Sequence, residues 1–146
     1  MKISENFISE EFISRDLHNS IVQRGLDPRW YIDKDLVKFC EWLKMECNGV
    51  DVTINDWKWG GLYQFSGLRG PNDIGALLSQ HKFKNAIDIK VKGFTPVQIR
   101  QIMLDNFIYI NTEFGITTIE KVKDTPTWVH IDKRWTGLNY LLEVNG

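Results

Sequence analysis

The sequence predicts an α+β fold in which an antiparallel sheet carries helices on one face and a polar groove on the other. Two kinds of pattern support this class. In some stretches apolar residues recur at helical spacing, which predicts helices. In others every second residue is apolar, which predicts strands. The resulting order is helices, strand, loop, strand, helix and then further strands. This order favours a single sheet with the helices on one side.

The two clearest helices lie in the middle of the chain. Over residues 34–47 apolar residues recur every three or four positions, and Asp33 precedes them as an N-cap. Thr95 and Pro96 begin a second helix, because threonine caps helices and proline suits their first position. The apolar spacing extends this second helix to about residue 106.

Before the first long helix, residues 3–25 predict only short helical turns. His18 lies there among polar neighbours and is expected at the surface. Cys40 and Cys47 are the only cysteines and fall in the same predicted helix, two turns apart. A helical rise of about 10 Å between them is too long for a disulfide. Both are expected as reduced thiols, which suits synthesis in a reducing cytosol.

Strands are predicted where apolar residues alternate. They cover residues 50–54, 85–91, 108–110, 115–122 and 127–132, with an edge strand expected within residues 135–144. In the 85–91 strand, Ile87 and Ile89 point to one face and Asp88 to the other. In the 127–132 strand, His130 likewise points away from the apolar face. Each of these two strands therefore offers one polar side chain as a possible ligand.

Length and composition place the whole chain, residues 1–146, in one domain. The hydrophobic share of 42% is that of a globular protein, and a net charge of −1 leaves no electrostatic footprint for a nucleic acid. No apolar run is long enough to span a membrane, and the N-terminus lacks the apolar segment of a signal peptide. We expect a monomer that is synthesised in the cytoplasm.

Two of the three histidines and one aspartate form a candidate metal site. Asp88 follows His81 by seven residues, too far for adjacent turns of one helix, so a loop or strand entry must separate them. Together with His130 they supply ligand types that suit zinc, and three protein ligands leave one position open. The alternative is that these side chains only pair with polar neighbours, as histidine and aspartate commonly do.

The aromatic stretch before the candidate ligands and Asp132 beside His130 each have two interpretations. The aromatic stretch over residues 57–65 is either a loop packed by its own tryptophans or one wall of a substrate groove. Asp132, on the same strand face as His130, either supports that ligand or is a charge that faces solvent. Arg134 is expected as a surface cation.

Several motifs, in order along the chain, resemble one known family. Residues 79–88, Ser-x-His-x-x-Lys-x-Ala-x-Asp, are similar to the S-x-H-x-x-G-x-A-x-D signature of the D-Ala-D-Ala metallopeptidases. These are zinc D-Ala-D-Ala carboxypeptidases and dipeptidases and many phage endolysin peptidases. Residues 66–69, Ser-Gly-Leu-Arg, resemble the stretch before the signature, and residues 128–132 resemble the closing strand. Residues 3–12 are similar to the opening of the carboxypeptidase branch.

The resemblance implies a fold like that of the hedgehog proteins and D-Ala-D-Ala peptidases, with zinc bound by His81, Asp88 and His130. It also implies that Arg69 binds or polarises the scissile carbonyl. Ser79 would support the site or hydrogen-bond the substrate.

Two positions depart from the family pattern. Lys84 replaces the signature glycine, so either lysine adopts a positive φ there or the loop follows a different path. Several members carry a carboxylate three residues before the last ligand, where this chain has Thr127. Related hedgehog-like folds place a glutamate six residues before that ligand. Asp124 matches that position and is the preferred candidate for the general base, with Glu120 as a further candidate.

These features together predict a zinc-dependent peptidase that hydrolyses D-amino-acid-containing stem peptides of bacterial peptidoglycan. The substrate is implied by the resemblance alone. Without a signal sequence, such an enzyme fits a phage lysis or virion-associated protein that acts at the cell wall. The alternative, favoured by Lys84 and Thr127, is a catalytically impaired zinc-binding module that binds cell-wall peptide or a protein partner. A metal-free binding domain is the third possibility.

Overall fold

One five-stranded sheet organises the computed structural model, which describes residues 1–146. Its strands are β1 (Val52–Thr53), β2 (Ala86–Val91), β3 (Thr118–Glu120), β4 (Val129–Asp132) and β5 (Leu142–Val144). They lie in the order β1-β2-β4-β3-β5. With the helices described below, the sheet confirms the predicted α+β class.

Four α-helices accompany the sheet, namely α1 (Arg15–Gln23), α2 (Lys34–Glu46), α3 (Pro96–Asp105) and α4 (Phe107–Phe114). The helices predicted most clearly, α2 and α3, end within one residue of the expected positions. Asp33 Oδ1 accepts hydrogen bonds from backbone N–H groups in the first turn of α2. Thr95 Oγ1 accepts one from the Gln98 backbone at the start of α3. Local capping signals thus decide where these helices begin.

The expectation of a purely antiparallel sheet is wrong at one edge. β1, β2, β4 and β3 pair antiparallel in turn, but β5 pairs parallel with β3. β4 ends beside Thr118, and β5 begins beside the same residue on the other side of β3. Because residues 133–141 only cross the end of β3, the strand that follows them runs in the direction of β3. The sheet is therefore mixed.

The strand predicted over residues 108–110 is also wrong, because these residues lie inside α4. Ile110 and Phe114, one helical turn apart, are both buried, whereas Ile108 is 80% exposed. Phe114 packs edge-on against Phe39 of α2, with ring centroids 5.9 Å apart. A short apolar run does not distinguish helix from strand by its period, so this packing against α2 decides the outcome.

The sheet has one apolar face and one polar face, as the alternation in β2 and β4 predicted. Five side chains of the apolar face are at most 1% exposed and belong to the main core cluster: Ile87, Ile89, Ile119, Val129 and Ile131. The same cluster contains Phe39 and Leu43 of α2 and Met103 of α3. The helices therefore cover the apolar face, and the opposite face is left for polar side chains.

His18, expected at the surface, is instead buried and only 8% exposed. Its Nε2 lies 3.2 Å from Ser9 Oγ and 3.9 Å from Glu10 Oε2, and its ring packs against Trp57. Segments remote in sequence cover this histidine, which the polar residues around it in the chain did not reveal. Cys40 and Cys47 are buried, free thiols, as predicted. None of the helices has the length and apolar character needed to cross a membrane.

Glu11 is a buried carboxyl group that makes the stability of the fold depend on pH. Its residue is 9% exposed, and burial raises its pKa to about 7, even though the carboxylate accepts a hydrogen bond from the Ile8 backbone. The negative charges of Glu10 and Glu41 act in the same direction as burial, and Lys44 opposes them. The folded state therefore holds this proton more tightly than the unfolded state does.

We expect the wild-type protein to lose about 1–3 kcal/mol of unfolding free energy, relative to Glu11→Gln, as pH rises from about 4.5 to about 7. In this window the unfolded glutamate ionises while the folded one still keeps its proton. Urea unfolding at several pH values measures the difference. Glu46→Gln, at an exposed position of α2, is the matched control and should follow the wild type. If the unfolding free energies of Glu11→Gln and wild type changed with pH in parallel, the Glu11 carboxyl group would not be the cause of the pH dependence.

Candidate metal centre

Three side chains from separate parts of the chain meet on the polar face of the sheet. His81 lies in a short 3-10 helix (Gln80–Phe83), Asp88 in β2 and His130 in β4. Asp88 and His130 are directly paired across the two strands, so their side chains leave the sheet on the same side. All three are buried, at 3%, 9% and 6% exposure. The structure thus brings together the three predicted metal ligands.

The possible ligand atoms of these residues form a compact triangle. His81 Nε2 lies 3.2 Å from His130 Nδ1 and 3.3 Å from Asp88 Oδ1. The third side, from His130 Nδ1 to Asp88 Oδ1, is 2.9 Å. A tetrahedral ion with bonds of about 2.0–2.2 Å holds its ligands about 3.3–3.6 Å apart. A slight opening of the triangle would admit such an ion, so this group could hold a metal ion.

Hydrogen bonds at the remaining ring nitrogens orient both imidazoles. His81 Nδ1 donates to the Gly67 carbonyl at 2.9 Å, so Nε2 faces the triangle. His130 Nε2 donates to Asp132 Oδ2 at 3.2 Å, so Nδ1 faces it. Metal-binding histidines usually have such a partner, which sets the tautomer and the orientation of the ring. Both rings are therefore held as a metal ion would require.

Gly67 can serve as this partner because its backbone runs close to the N-terminal segment. A Cβ atom at this position would lie 2.3 Å from the Phe12 carbonyl oxygen, so no other residue fits without a shift of the backbone. The neighbouring Ser66 carbonyl accepts a hydrogen bond from the Asp88 backbone at 2.7 Å. The Ser-Gly-Leu-Arg stretch is thus held between residue 12 and β2, with one carbonyl directed at His81.

Asp132 supports His130 and does not face solvent. The residue is fully buried, and it accepts hydrogen bonds from the Arg134 backbone at 3.0 Å and from Arg134 Nε at 2.9 Å. Burial would raise the pKa of Asp132, but hydrogen bonds from His130 and Arg134 lower it to about 2. The expectation that Arg134 is only a surface cation is therefore wrong, because its guanidinium holds the carboxylate that orients His130.

The charges of the triangle shift the pKa values of its members. Burial would lower the pKa of His130, but hydrogen bonds to Asp132 and Asp88 outweigh burial and raise the pKa to about 9. Burial would raise the pKa of Asp88, but hydrogen bonds from His130 and His81 bring it well below its usual range. Without a metal ion, His130 is thus protonated near neutral pH. A metal ion would take the place of the proton on Nδ1.

Arg69 contacts the triangle from the other side of Asp88. Its Nη2 lies 3.4 Å from Asp88 Oδ2, while Asp88 Oδ1 faces the two histidines. Its Nε donates to the Phe65 carbonyl, and its side chain is only 13% exposed. Arg69 therefore lies beside the site, as predicted, and its closest charged partner is a ligand residue. Ser79 is half-buried immediately before the short helix of His81 and makes no capping hydrogen bond.

Both candidate bases lie near the last residue of the chain, where a Cβ atom on Gly146 would be 3.3 Å from Glu120 Oε2 and 3.0 Å from Asp124 Cβ. Strand β3 pairs with β4 through Thr118 with Asp132 and Ile119 with Ile131. Continuing this register places Glu120 opposite His130, on the same face of the sheet. Asp124 lies in the turn after β3, where it accepts a hydrogen bond from the Gly146 backbone at 3.2 Å.

Thr127 lies in an exposed bend just before β4. It borders a cavity of about 130 Å³ together with Val91, Phe94 and Ile99. The position three residues before His130 therefore offers no carboxylate to the site.

The aromatic stretch over residues 57–65 contains both packed and exposed side chains. Trp57 is packed, and its Nε1 donates to the Ile13 carbonyl at 3.1 Å. Tyr63 is 47% exposed, and the Lys90 ammonium lies 4.0 Å from the centre of its ring. Lys90 follows Asp88 by two positions on the same strand face. Tyr63 therefore lies near the polar face, and Trp57 belongs to the structural part of the loop.

Comparisons of the chain with family models, with curated proteins and with solved structures found no match. What the site can do must therefore follow from its own residues and geometry.

Removal of the Asp132 carboxylate should weaken metal binding. We expect Asp132→Ala to bind Zn²⁺ about 10- to 100-fold more weakly than wild type, because His130 loses the group that sets its orientation. Isothermal titration with a competing chelator measures the affinity. Asp124→Ala is the control, since Asp124 contacts none of the three ligands. Equal affinity of Asp132→Ala and Asp124→Ala would contradict this role of Asp132.

Lys84 adopts a left-handed backbone conformation, with φ 54°, at the end of the short helix that carries His81. Of the two expectations for this position, the first is confirmed: lysine occupies a conformation that favours glycine. We expect Lys84→Gly to be more stable than Lys84→Ala by about 0.5–1 kcal/mol, because only glycine relieves the backbone strain. Thermal unfolding compares the two variants, and alanine controls for loss of the lysine side chain. If alanine were as stable as glycine, the strain at this position would be negligible.

Proposed function

We propose that the protein is a zinc-dependent peptidase. The observation that carries this proposal is the triangle of His81, Asp88 and His130, which the fold assembles and hydrogen bonds orient. Two imidazoles and one carboxylate are a donor set that suits zinc. Three protein ligands leave a coordination position open, as in catalytic sites; structural zinc sites usually have four.

When bound, zinc would polarise a peptide carbonyl and make water more acidic. The other tasks belong to side chains of this chain. Glu120, opposite His130 in the sheet, would accept a proton from the attacking water and return it to the leaving amine. Arg69 would hold the outer oxygen of Asp88 and stabilise negative charge that develops on the carbonyl oxygen. Asp132, held by Arg134, would keep His130 in place.

The register of β3 favours Glu120 over Asp124 as the general base. A residue directly opposite His130 on the same sheet face is close to the ligands without any rearrangement. The charge of Glu120 is also among those that favour the protonated form of His130 and so raise its pKa, after the hydrogen bonds to Asp132 and Asp88. Asp124 stays the second candidate, since the turn that carries it follows β3 directly.

The substrate class is proposed from the resemblance to the D-Ala-D-Ala metallopeptidases. It is the D-amino-acid-containing stem peptide of bacterial peptidoglycan, cleaved by a phage lysis or virion-associated enzyme of hedgehog-like fold. The left-handed conformation of Lys84 supports the resemblance, because it falls where the family signature has glycine. Ser79, just before the His81 helix, would contact the peptide.

A second candidate function is a zinc-binding module without catalysis. The observation that favours it is the burial of all three ligands, none more than 9% exposed, since a catalytic ion must be reached by substrate. Such a module would bind a cell-wall peptide or a protein partner through the same face of the sheet.

Incubation of the zinc-loaded protein with purified peptidoglycan stems, followed by mass spectrometry, tests the enzyme proposal. We expect a cleavage product that His130→Ala does not form. Glu120→Gln should lower the rate by about 10²- to 10⁴-fold, because amide cannot accept the proton. Asp124→Asn is the matched control and should retain most of the activity.

The zinc content of each variant separates the possible outcomes. If Glu120→Gln keeps zinc and full activity while Asp124→Asn is inactive, Asp124 is the base and our assignment is wrong. If the zinc-loaded wild type cleaves no stem peptide from several wall types, the module without catalysis is the better description.

A further inference from the structure

One apolar hollow of the helical layer is separate from the candidate metal centre. It has a volume of about 560 Å³ and lies between the N-terminal segment, α2 and α4. None of the predicted metal ligands or catalytic residues lines it. A volume of this size falls within the range of sites that bind small organic molecules.

The floor of this cavity is aromatic and aliphatic. Trp42 of α2 and Phe114 of α4 meet there with ring centroids 6.1 Å apart, and Ile32 and Val37 complete the floor. At the mouth, Met45 is 70% exposed and Tyr109 is 48% exposed. Apolar surface that remains open around a concave floor is typical of a site that an apolar ligand covers.

The rim of the cavity is positively charged although the whole chain has a net charge of −1. Four cations line it, namely Lys2, Arg29, Lys34 and Lys38. Arg29 is paired with Asp27, and Lys38 lies 3.5 Å from Asp35. Lys2 and Lys34 are exposed and form no salt bridge within the chain.

Glu41 is the only acidic residue that lines the cavity, and its carboxylate already accepts hydrogen bonds within the chain. Its carboxylate accepts hydrogen bonds from Ser4 Oγ and from the backbone and side chain of Asn6. Because these donors are neutral, Glu41 keeps its negative charge and offsets one of the two unpaired lysines, so the rim keeps a net positive charge. A ligand that complements this arrangement has an apolar body and one anionic end.

We propose that this cavity binds an amphiphilic carboxylate, with its aliphatic chain on the Trp42 floor and its carboxylate at Lys2 and Lys34. A volume of about 560 Å³ accommodates a single-chain small molecule, whereas a helix of a partner protein requires a long groove. The chain would cover Met45 and Tyr109, and the lysines would supply the charge preference.

Decanoate is the probe for this proposal, and the methyl groups of the methionines are the reporters. The chain has three methionines, so methyl-labelled protein gives a simple NMR spectrum. Met45 lies at the mouth of the cavity, whereas Met103 is fully buried in the main core. We expect decanoate to shift the Met45 signal in a saturable way and to leave the Met103 signal in place. Decyltrimethylammonium, with the same chain and the opposite charge, should not bind.

A charge-reversal variant tests the rim. Lys2→Glu combined with Lys34→Glu should weaken decanoate binding by about 5- to 30-fold. The fold should tolerate the second change, because an acidic residue in the first turn of α2 is favourable. Lys92→Glu combined with Lys123→Glu is the control with equal net charge, at exposed positions that do not line the cavity.

Three results would overturn the proposal. They are an unchanged Met45 signal at millimolar decanoate, equal binding of the cationic amphiphile, and equal weakening of decanoate binding in the two double variants. If the cavity binds a peptide and no amphiphilic carboxylate, decanoate should leave the Met45 signal unchanged. None of these measurements depends on zinc or on peptidase activity.

Discussion

The antiparallel pairing of Asp88 with His130 is the interaction on which the rest of the site depends. It brings a carboxylate within 2.9 Å of an imidazole and places both on the face of the sheet that His81 approaches. Because side chains alternate along a strand, a shift of β2 by one residue against β4 would turn Asp88 into the core. It would also turn Ile87 to the polar face. Core packing and site geometry are therefore secured by the same register.

Charged side chains of alternating sign offset the cost of burying charge on the polar face of the sheet. Arg134, Asp132, His130, Asp88 and Arg69 form a row in which each charged group contacts one of opposite sign. An isolated buried charge would cost several kcal/mol, and here each member offsets the cost of its neighbours. A divalent cation entering this row would replace a proton already held by His130, so the surrounding groups need little rearrangement.

The two sides of the sheet differ in their chemistry. The polar face gathers ligands from β2, β4 and the His81 helix, whereas the helical side contains an apolar cavity with a basic rim. Packing of Phe114 against α2 connects these features, because it makes residues 107–114 a helix and so also forms a wall of the cavity. A strand at this position would have left Trp42 without its partner. The core that supports the candidate metal centre thus also shapes the cavity.

Local signals in the sequence determined the helices α2 and α3 and the faces of β2 and β4. Caps and side-chain periodicity act over a few residues, so Asp88 and His130 could be assigned to one polar face without a structure. The tertiary structure alone decided that Glu120 lies opposite His130, that residues 108–110 are helical and that β5 runs parallel to β3. It also decided that Asp132 is buried against Arg134. These outcomes depend on strand register and on packing between segments far apart in the chain, which no local pattern encodes.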